Sequence, residues 1–209
     1  VYNVGDTKEI DLGSYGKHTL RIANKSTPSE CSNTNFSQSA CGFVLEFVDI
    51  ITLHKMNDTA INVGGWPATS MRTFVNNDIY NAIPDEIKKV IIDTTTMSGH
   101  GSTTKETNFI STDKLYFLSG KEIYSDFNSE YDTAKTLTRQ LDYYANNGIT
   151  TSNSAGTIKK YQTTAKCWWL RTASSTTNFS FHVMLNIGRW NYAASGDNNC
   201  GVSPAFRIG

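Results

Sequence analysis

Four histidines, four cysteines and a scatter of carboxylates are the residues of this 209-residue chain best equipped for chemistry. His100, in "SGHGS", sits among small residues that permit close approach, so a catalytic reading has to start there. A general base needs a nucleophile and an orienting acid within hydrogen-bond reach, and no GxSxG elbow accompanies it. It reads as a turn histidine. His18, His54 and His182 are scattered, with no HExxH or comparable metal pair. No pair of acids stands out for glycoside hydrolysis. The cysteines, at 31, 41, 167 and 200, form no CxxC pair and no Cys/His spacing of the zinc type. "SGDNNCG" (195–201) offers oxygen donors for calcium but lacks the spaced ligands and terminal Glu of an EF-hand, and reads as an Asn/Asp/Gly turn. The expectation is no catalytic residue, no metal and no cofactor, hence not an enzyme.

Lys plus Arg and Asp plus Glu each number 19, so the chain offers no basic field for nucleic acid or anionic lipid. No apolar run approaches the roughly 20 residues that span a bilayer, and no direct membrane insertion is expected. Any export signal or anchor is expected outside this segment. Cys31 and Cys41 enclose "CSNTNFSQSAC", a loop that a disulfide would close in an extracellular setting; two unpaired thiols fit the spacing equally.

The elements that must hold any site follow from periodicity. "VYNVGDTKEIDLG" and "KHTLRIAN" alternate and predict a hairpin. "GFVLEFVDIITLHKMN" is dense in branched and aromatic residues, as a central strand buried on both faces would be. Met71, Phe74, Val75, Ile79 and Ala82 fall at helical spacing, with Thr69 or Ser70 able to cap. "PDEIKKVII" predicts a second short helix with Ile87, Val90 and Ile91 inward. "YDTAKTLTRQLDYYANNG" predicts a third, with Leu137, Leu141 and Tyr144 inward and Gly148 as its stop. "KLYFLSGKEIY" between them reads as a strand or a strand plus turn. The fold class is α+β in a single domain, with antiparallel sheets from both ends of the chain and two or three helices in the middle. Of the two adjacent tryptophans, one ring is expected in the core and the other half-covered, while Trp190 has the better claim to exposure.

The tail has a peculiar composition. Lys, Glu and Gln number 13, 7 and 3 in residues 1–171, and none occurs in 172–209. At the upstream frequency about five would be expected there. Strands and tight turns disfavour long charged side chains, which is one explanation. Descent from pyrimidine-ending Asn codons with randomised adenines is another, since such codons cannot yield Lys, Glu or Gln. Between Ser174 and Cys200 only Met184 and Trp190 need a different codon. Composition alone fits both.

"GGWPATSMRTFVNNDIYNAIPDEIKKVIIDTT", "SGHGS", "STDKLYFLS", "TRQLDYY", "WWLRTAS" and "GVSPAFRIG" together resemble a family of bacterial and phage-encoded domains of unassigned function, found on exported, surface-type proteins of Gram-positive gut bacteria. The resemblance covers nearly the whole chain. That family resembles C-type-lectin-like folds, and its WWLR-to-GVSPAF segment resembles the hypervariable region of variable proteins made by diversity-generating retroelements. The resemblance implies a cell-surface, extracellular or phage-particle location. It also implies a noncatalytic domain of C-type-lectin-like fold whose region 174–200 binds a protein or cell-surface ligand. The expected ligand-binding residues are Ser174, Ser175, Thr176, Thr177, Asn178, Ser180, His182, Leu185, Asn186, Ile187, Arg189, Asn191, Tyr192, Asp197, Asn198 and Asn199. Phe179, Phe181, Val183, Trp190, Ala193 and Ala194 are expected to hold the backbone, the split depending on strand register. The Glu-Pro-Asn, Gln-Pro-Asp and Trp-Asn-Asp triplets of calcium-dependent lectins are absent from the sequence, which speaks against calcium-mediated sugar binding. The competing expectation is an undiversified adhesive or structural module of a larger surface protein.

Overall fold

Alternation in the first 24 residues folds as expected into an antiparallel hairpin, β1 (Thr7–Asp11) and β2 (Lys17–Asn24), with Thr7 opposite Arg21 and Asp11 opposite Lys17. The computed structural model describes residues 1–102, 107–197 and 199–209. After the hairpin, Cys31 and Cys41 are joined in a disulfide that closes the polar loop.

The apolar run that follows is not one strand. It divides into β3 (Val44–Phe47) and β4 (Thr52–Leu53), which belong to different sheets. The cause is a crossing between sheets: Phe47 N–H donates to Pro204 C=O at 3.2 Å, and Ile51 N–H to Val202 C=O at 2.9 Å. Buried Glu46 lies within the apolar run. Lys159 Nζ (3.0 Å), Arg21 Nη2 (2.8 Å) and Tyr144 Oη (2.8 Å) all donate to its carboxylate. Burial pushes this carboxyl up, but Lys159 and Arg21 outweigh it and hold it at about 2.

The helical pattern at 70–82 is realised as α1 (Ser70–Phe74), a π turn (Val75–Ile79) and α2 (Tyr80–Ala82). Thr69 Oγ1 caps it by accepting Arg72 N–H at 3.0 Å. α3 (Asp85–Lys88) is shorter than expected. Ile87 is buried, but Val90 is 40% exposed and Ile91 has joined β5 (Ile91–Ile92). Next come β6 (Thr94–Ser98) and β7 (Phe109–Asp113), a two-stranded sheet.

Two further readings are corrected. "KLYFLSGKEIY" holds an extended, wholly buried stretch, Leu115–Leu118, which forms an isolated bridge between Tyr116 and Ala205 and accepts Arg171 N–H at Leu118 C=O (3.0 Å). It then turns into α4 (Gly120–Ile123), where Glu122 Oε2 reaches back to accept Ser119 N–H at 2.9 Å. The helix expected over 131–148 shrinks to α5 (Asp142–Asn146). Upstream, polar side chains divert the backbone: Asp132 Oδ1 accepts Ala134 N–H at 3.0 Å, and Thr138 Oγ1 donates to Glu122 at 2.8 Å. Leu141 and Tyr144 are buried as expected, Leu137 is half-buried, and Gly148 ends the segment at φ +61°.

The C-terminal third is β8 (Lys159–Tyr161), β9 (Thr164–Lys166), β10 (Trp168–Ala173), β11 (Ser180–Met184), β12 (Trp190–Ala194), β13 (Gly201–Val202) and β14 (Ala205–Ile208). One sheet runs β1-β2-β3-β14-β5, so the last strand lies beside β3 near the N-terminal hairpin; the second runs β12-β11-β10-β13-β4. Among the described residues the named strands pair antiparallel except β10 with β13, and isolated parallel bridges join Ile50 to Tyr161 and His100 to Ala173. One hydrophobic core spans both sheets and the helices, from Ile10 to Phe206. The architecture is α+β, mostly antiparallel sheet with a few short helices.

No helix among the described residues is long and apolar enough to cross a membrane. Besides the loop disulfide, Cys167 is bonded to Cys200. Two disulfides are what chains folded in oxidising, non-cytoplasmic compartments carry.

Candidate functional site

The tail is built outward from β10. All six residues of β10 are buried, because the strand is covered on both faces. Both tryptophan rings of the WW pair are therefore fully buried, neither half-covered as expected. Trp168 Nε1 donates to Thr157 C=O at 3.1 Å and Trp169 Nε1 to His54 C=O at 2.8 Å, so neither buried N–H is wasted. Arg171 is equally enclosed. Its guanidinium holds both oxygens of Glu122 (2.6 and 2.7 Å) and donates to the carbonyls of Met97 (3.0 Å) and Phe117 (2.9 Å). Ser39 Oγ also donates to Glu122. Burial raises the Glu122 carboxyl, but Arg171 and these bonds hold it below its ordinary value.

The far end of the tail is tied back to the same place. Cys167, just before β10, is bonded to Cys200, and Gly201 N–H donates to Cys167 C=O at 2.8 Å. A Cβ on Gly201 would lie 2.4 Å from Ile50 Cγ2, so only glycine fits there. Residues 168–199 thus leave and return through one cross-linked point.

Register decides what the hairpin shows. Ser180 faces Ala194, His182 faces Tyr192 and Met184 faces Trp190 across β11 and β12. These six side chains share one face of the sheet; Phe181, Val183, Asn191 and Ala193 share the other. Every residue of β11 is buried, which takes His182 and Ser180 out of solvent. Ser174 is buried as well. These three are corrections to the expected face, since in this packing they belong to its support.

Thr176, Asn178, Asn186, Ile187, Arg189, Asn191, Tyr192 and Asn199 are exposed; Ser175, Thr177, Leu185 and Asp197 are half-buried. Asn198 lies outside the described residues. The twelve are not one flat patch. Ser175–Asn178 sit at one end of the hairpin, where Asp197 N–H donates to Ala194 C=O, Leu185–Ile187 at the other, and Arg189, Asn191 and Tyr192 lie at and along β12.

Three exposed apolar residues at the first end escaped the sequence reading: Phe179 (43% exposed), Ile61 (44%) and Val63 (50%). Asn62 draws the 59–63 segment in. Its Nδ2 lies within 3.0 Å of the carbonyls of Ser174, Thr177 and Ser180, and its N–H donates to Asn178 C=O at 2.9 Å. Ile61 N–H donates to Ser195 Oγ at 2.7 Å. A lone Asn in "AINVGG" offers no periodic signal that would have linked it to the tail.

His182 stacks on Trp190 (centroids 5.3 Å apart, 30° between planes) and meets the edge of Phe127 at 6.2 Å. Its two ring nitrogens have no hydrogen-bond partner among the described residues, and burial pushes the imidazole down to about 4. Trp190 is half-buried rather than exposed. Tyr192 stands edge-on to Tyr131 at 6.5 Å.

His100 is half-buried; its backbone bridges to Ala173 and its N–H donates to Thr133 Oγ1 at 3.1 Å. Asp197 Oδ1 accepts hydrogen bonds from Asn199 N–H and Nδ2 (2.8 and 2.7 Å), so the carboxylate is engaged locally. Among the described residues no group of three or more His, Cys, Asp or Glu side chains is arranged to hold a metal ion.

No curated protein and no solved structure matches the chain. A family model does, over residues 43–209, which takes in every element from β3 onward and the whole tail, and leaves the N-terminal hairpin and the Cys31–Cys41 loop outside. The chain belongs to the family described as a domain of unknown function (DUF6273).

Proposed function

We propose that this is a noncatalytic ligand-binding domain of C-type-lectin-like fold, the variable protein of a diversity-generating retroelement, whose tail presents a hypervariable surface to a protein or cell-surface ligand. One observation carries the reading: the segment clamped between buried β10 and the Cys167–Cys200 bond lies wholly within the stretch devoid of Lys, Glu and Gln, with eight of its expected contact residues exposed. A rigid frame around tolerant surface positions is what a displayed variable region requires. The mostly antiparallel sheets, with β14 beside β3, support the lectin-like part of the reading. Tyr192 and Arg189 supply aromatic area and directional donors, the residue types that dominate binding surfaces.

The test is in DNA. Isolates should differ at the exposed tail positions, beside a reverse transcriptase gene and a near-copy of the tail-coding segment with adenines at the differing sites. Uniform drift along the chain, with no such copy, removes the diversification claim. The second reading, an undiversified adhesive or structural module, draws on the burial of Ser174, Ser180 and His182, because a buried position is a poor place to vary. Isolates invariant in the exposed positions favour it.

A further inference from the structure

Strand β12 is the outer strand of its sheet, and the hydrogen bonds around it fix which backbone groups it leaves open. Leu185 N–H donates to Arg189 C=O at 2.7 Å, and Ser195 N–H to Phe179 C=O at 2.8 Å. Both belong to bonded pairs of the β11–β12 ladder, so antiparallel alternation makes Asn191 and Ala193 bonded residues too. Trp190, Tyr192 and Ala194 therefore turn their N–H and C=O away from β11. Ala194 C=O is taken by Asp197 N–H at 2.9 Å, and Tyr192 N–H by the Asn191 side chain at 2.8 Å. Among the described residues the other four, Trp190 N–H and C=O, Tyr192 C=O and Ala194 N–H, have no partner.

The first sheet guards its edge in a different way. β1 presents exposed Lys8, Glu9 and Asp11, with Glu9 paired to Lys17 at 3.4 Å, and such charges oppose an incoming strand. β12, "WNYAA", has no charge and no proline. Among the described residues its guards are the Asn191 side chain on Tyr192 N–H and Asp197 N–H on Ala194 C=O. Just before it, exposed Arg189 has no carboxylate partner among the described residues.

We propose that β12 is a docking edge for an extended peptide segment of a protein partner, which adds to the sheet as a sixth strand with an acidic side chain near Arg189 and an apolar one over Tyr192. The open groups recur every second residue, about 6.8 Å apart, the repeat of another extended backbone. A glycan or an acyl chain has no such repeat of alternating donors and acceptors, whereas strand addition satisfies all of them. Arg189 gives the charge complementarity that sets register. This rests on the reading of the tail as a ligand-binding surface and specifies how it binds.

The probe is a phage-displayed library of random linear peptides selected on the immobilised chain, with binders then made as free peptides. Binders carrying an acidic residue are expected. On their addition the Trp190 and Ala194 amides, fast to exchange in the free protein, should slow at least about tenfold, while the already bonded Asn191 and Ala193 amides stay as they were. Ala194→Pro deletes an outward N–H without touching the ladder, and should weaken binding about tenfold or more. Asn191→Ala removes the side-chain guard and should tighten it several-fold. Selection of no peptide, or binders that leave the Trp190 and Ala194 amides exchanging as before, overturns the edge. If such binders are nonetheless lost on Tyr192→Ala and Arg189→Ala, the ligand-binding reading stands without it; if they survive those changes too, both fall. Protected β12 amides in a self-associated free chain, detected by sedimentation, would make a second copy the occupant and overturn the peptide.

Discussion

The His182 imidazole is buried, with no acceptor for a second proton among the described residues. Its ordinary value is 6.5, and the folded state lowers it to about 4. Above about pH 6.5 both folded and unfolded chains hold it neutral and it has no effect on stability. As pH falls toward about 4, the unfolded chain takes up a proton that the folded one refuses, so roughly 3 kcal/mol is lost across that window. Chemical denaturation at a series of pH values should show this loss, and His182→Phe should remove it while keeping the stack on Trp190. An unchanged slope in the variant would assign the acid sensitivity elsewhere. Arg171 makes the opposite bargain. With Glu122 it forms a buried pair whose members are 1% and 0% exposed, so Arg171→Met strands a carboxylate and should cost about 3 to 5 kcal/mol. Arg171→Met combined with Glu122→Leu should recover most of that in urea unfolding. A double variant as weak as the single would mean that Arg171 acts mainly through the Met97 and Phe117 carbonyls.

At the scale of elements, what could be read from sequence were patterns that local physics enforces. The β1–β2 hairpin follows from alternation, and the 70–82 helix from apolar spacing with its Thr69 cap. Where a long-range partner decides, the pattern misled. The 131–141 stretch has helical periodicity, but Thr138 is needed by Glu122 and Arg139 by Asn24 and Ala40, contacts that a straight helix would forgo. "GFVLEFVDIITL" is divided by a crossing set by β13 and β14, more than 150 residues away in sequence. The tail frame was legible from "WWLR" and "GVSPAF", but the bond that closes it was not, since four cysteines allow three pairings. In the chain-entropy account, a cross-link over 33 residues contributes about 3 to 4 kcal/mol, and one over 10 residues about 3. Cys167→Ser with Cys200→Ser should therefore lower stability by about that larger amount and speed proteolysis within 174–199. Cys31→Ser with Cys41→Ser should leave the tail's proteolytic pattern unchanged.

Across the whole molecule, the two sheets divide labour. The first joins the N-terminal hairpin to the C-terminal strand; the second carries the tail at its outer side, with β13 and β4 joining it to the rest. Between them, Lys159 Nζ reaches Glu46 (3.0 Å) and Ser203 Oγ (2.9 Å) where the chain crosses from sheet to sheet. Fixing one side of a sheet while leaving the other free has a measurable consequence: tolerance to substitution should follow burial, not position in the tail. A library randomised at Thr176, Asn178, Asn186, Ile187, Arg189, Asn191, Tyr192 and Asn199 touches exposed residues only, and each change there should stay within about 0.5 kcal/mol. Most members should then melt within a few degrees of the parent. The same randomisation at Ser174, Ser180 and His182 enters packed, hydrogen-bonded space. Thr177 Oγ1 and Ser180 Oγ are bonded, Asn62 relies on the carbonyls of Ser174 and Ser180, and most replacements there should fail a protease challenge. Equal survival of the two libraries would mean that β11 repacks freely, and the distinction between support and displayed surface would have no energetic basis.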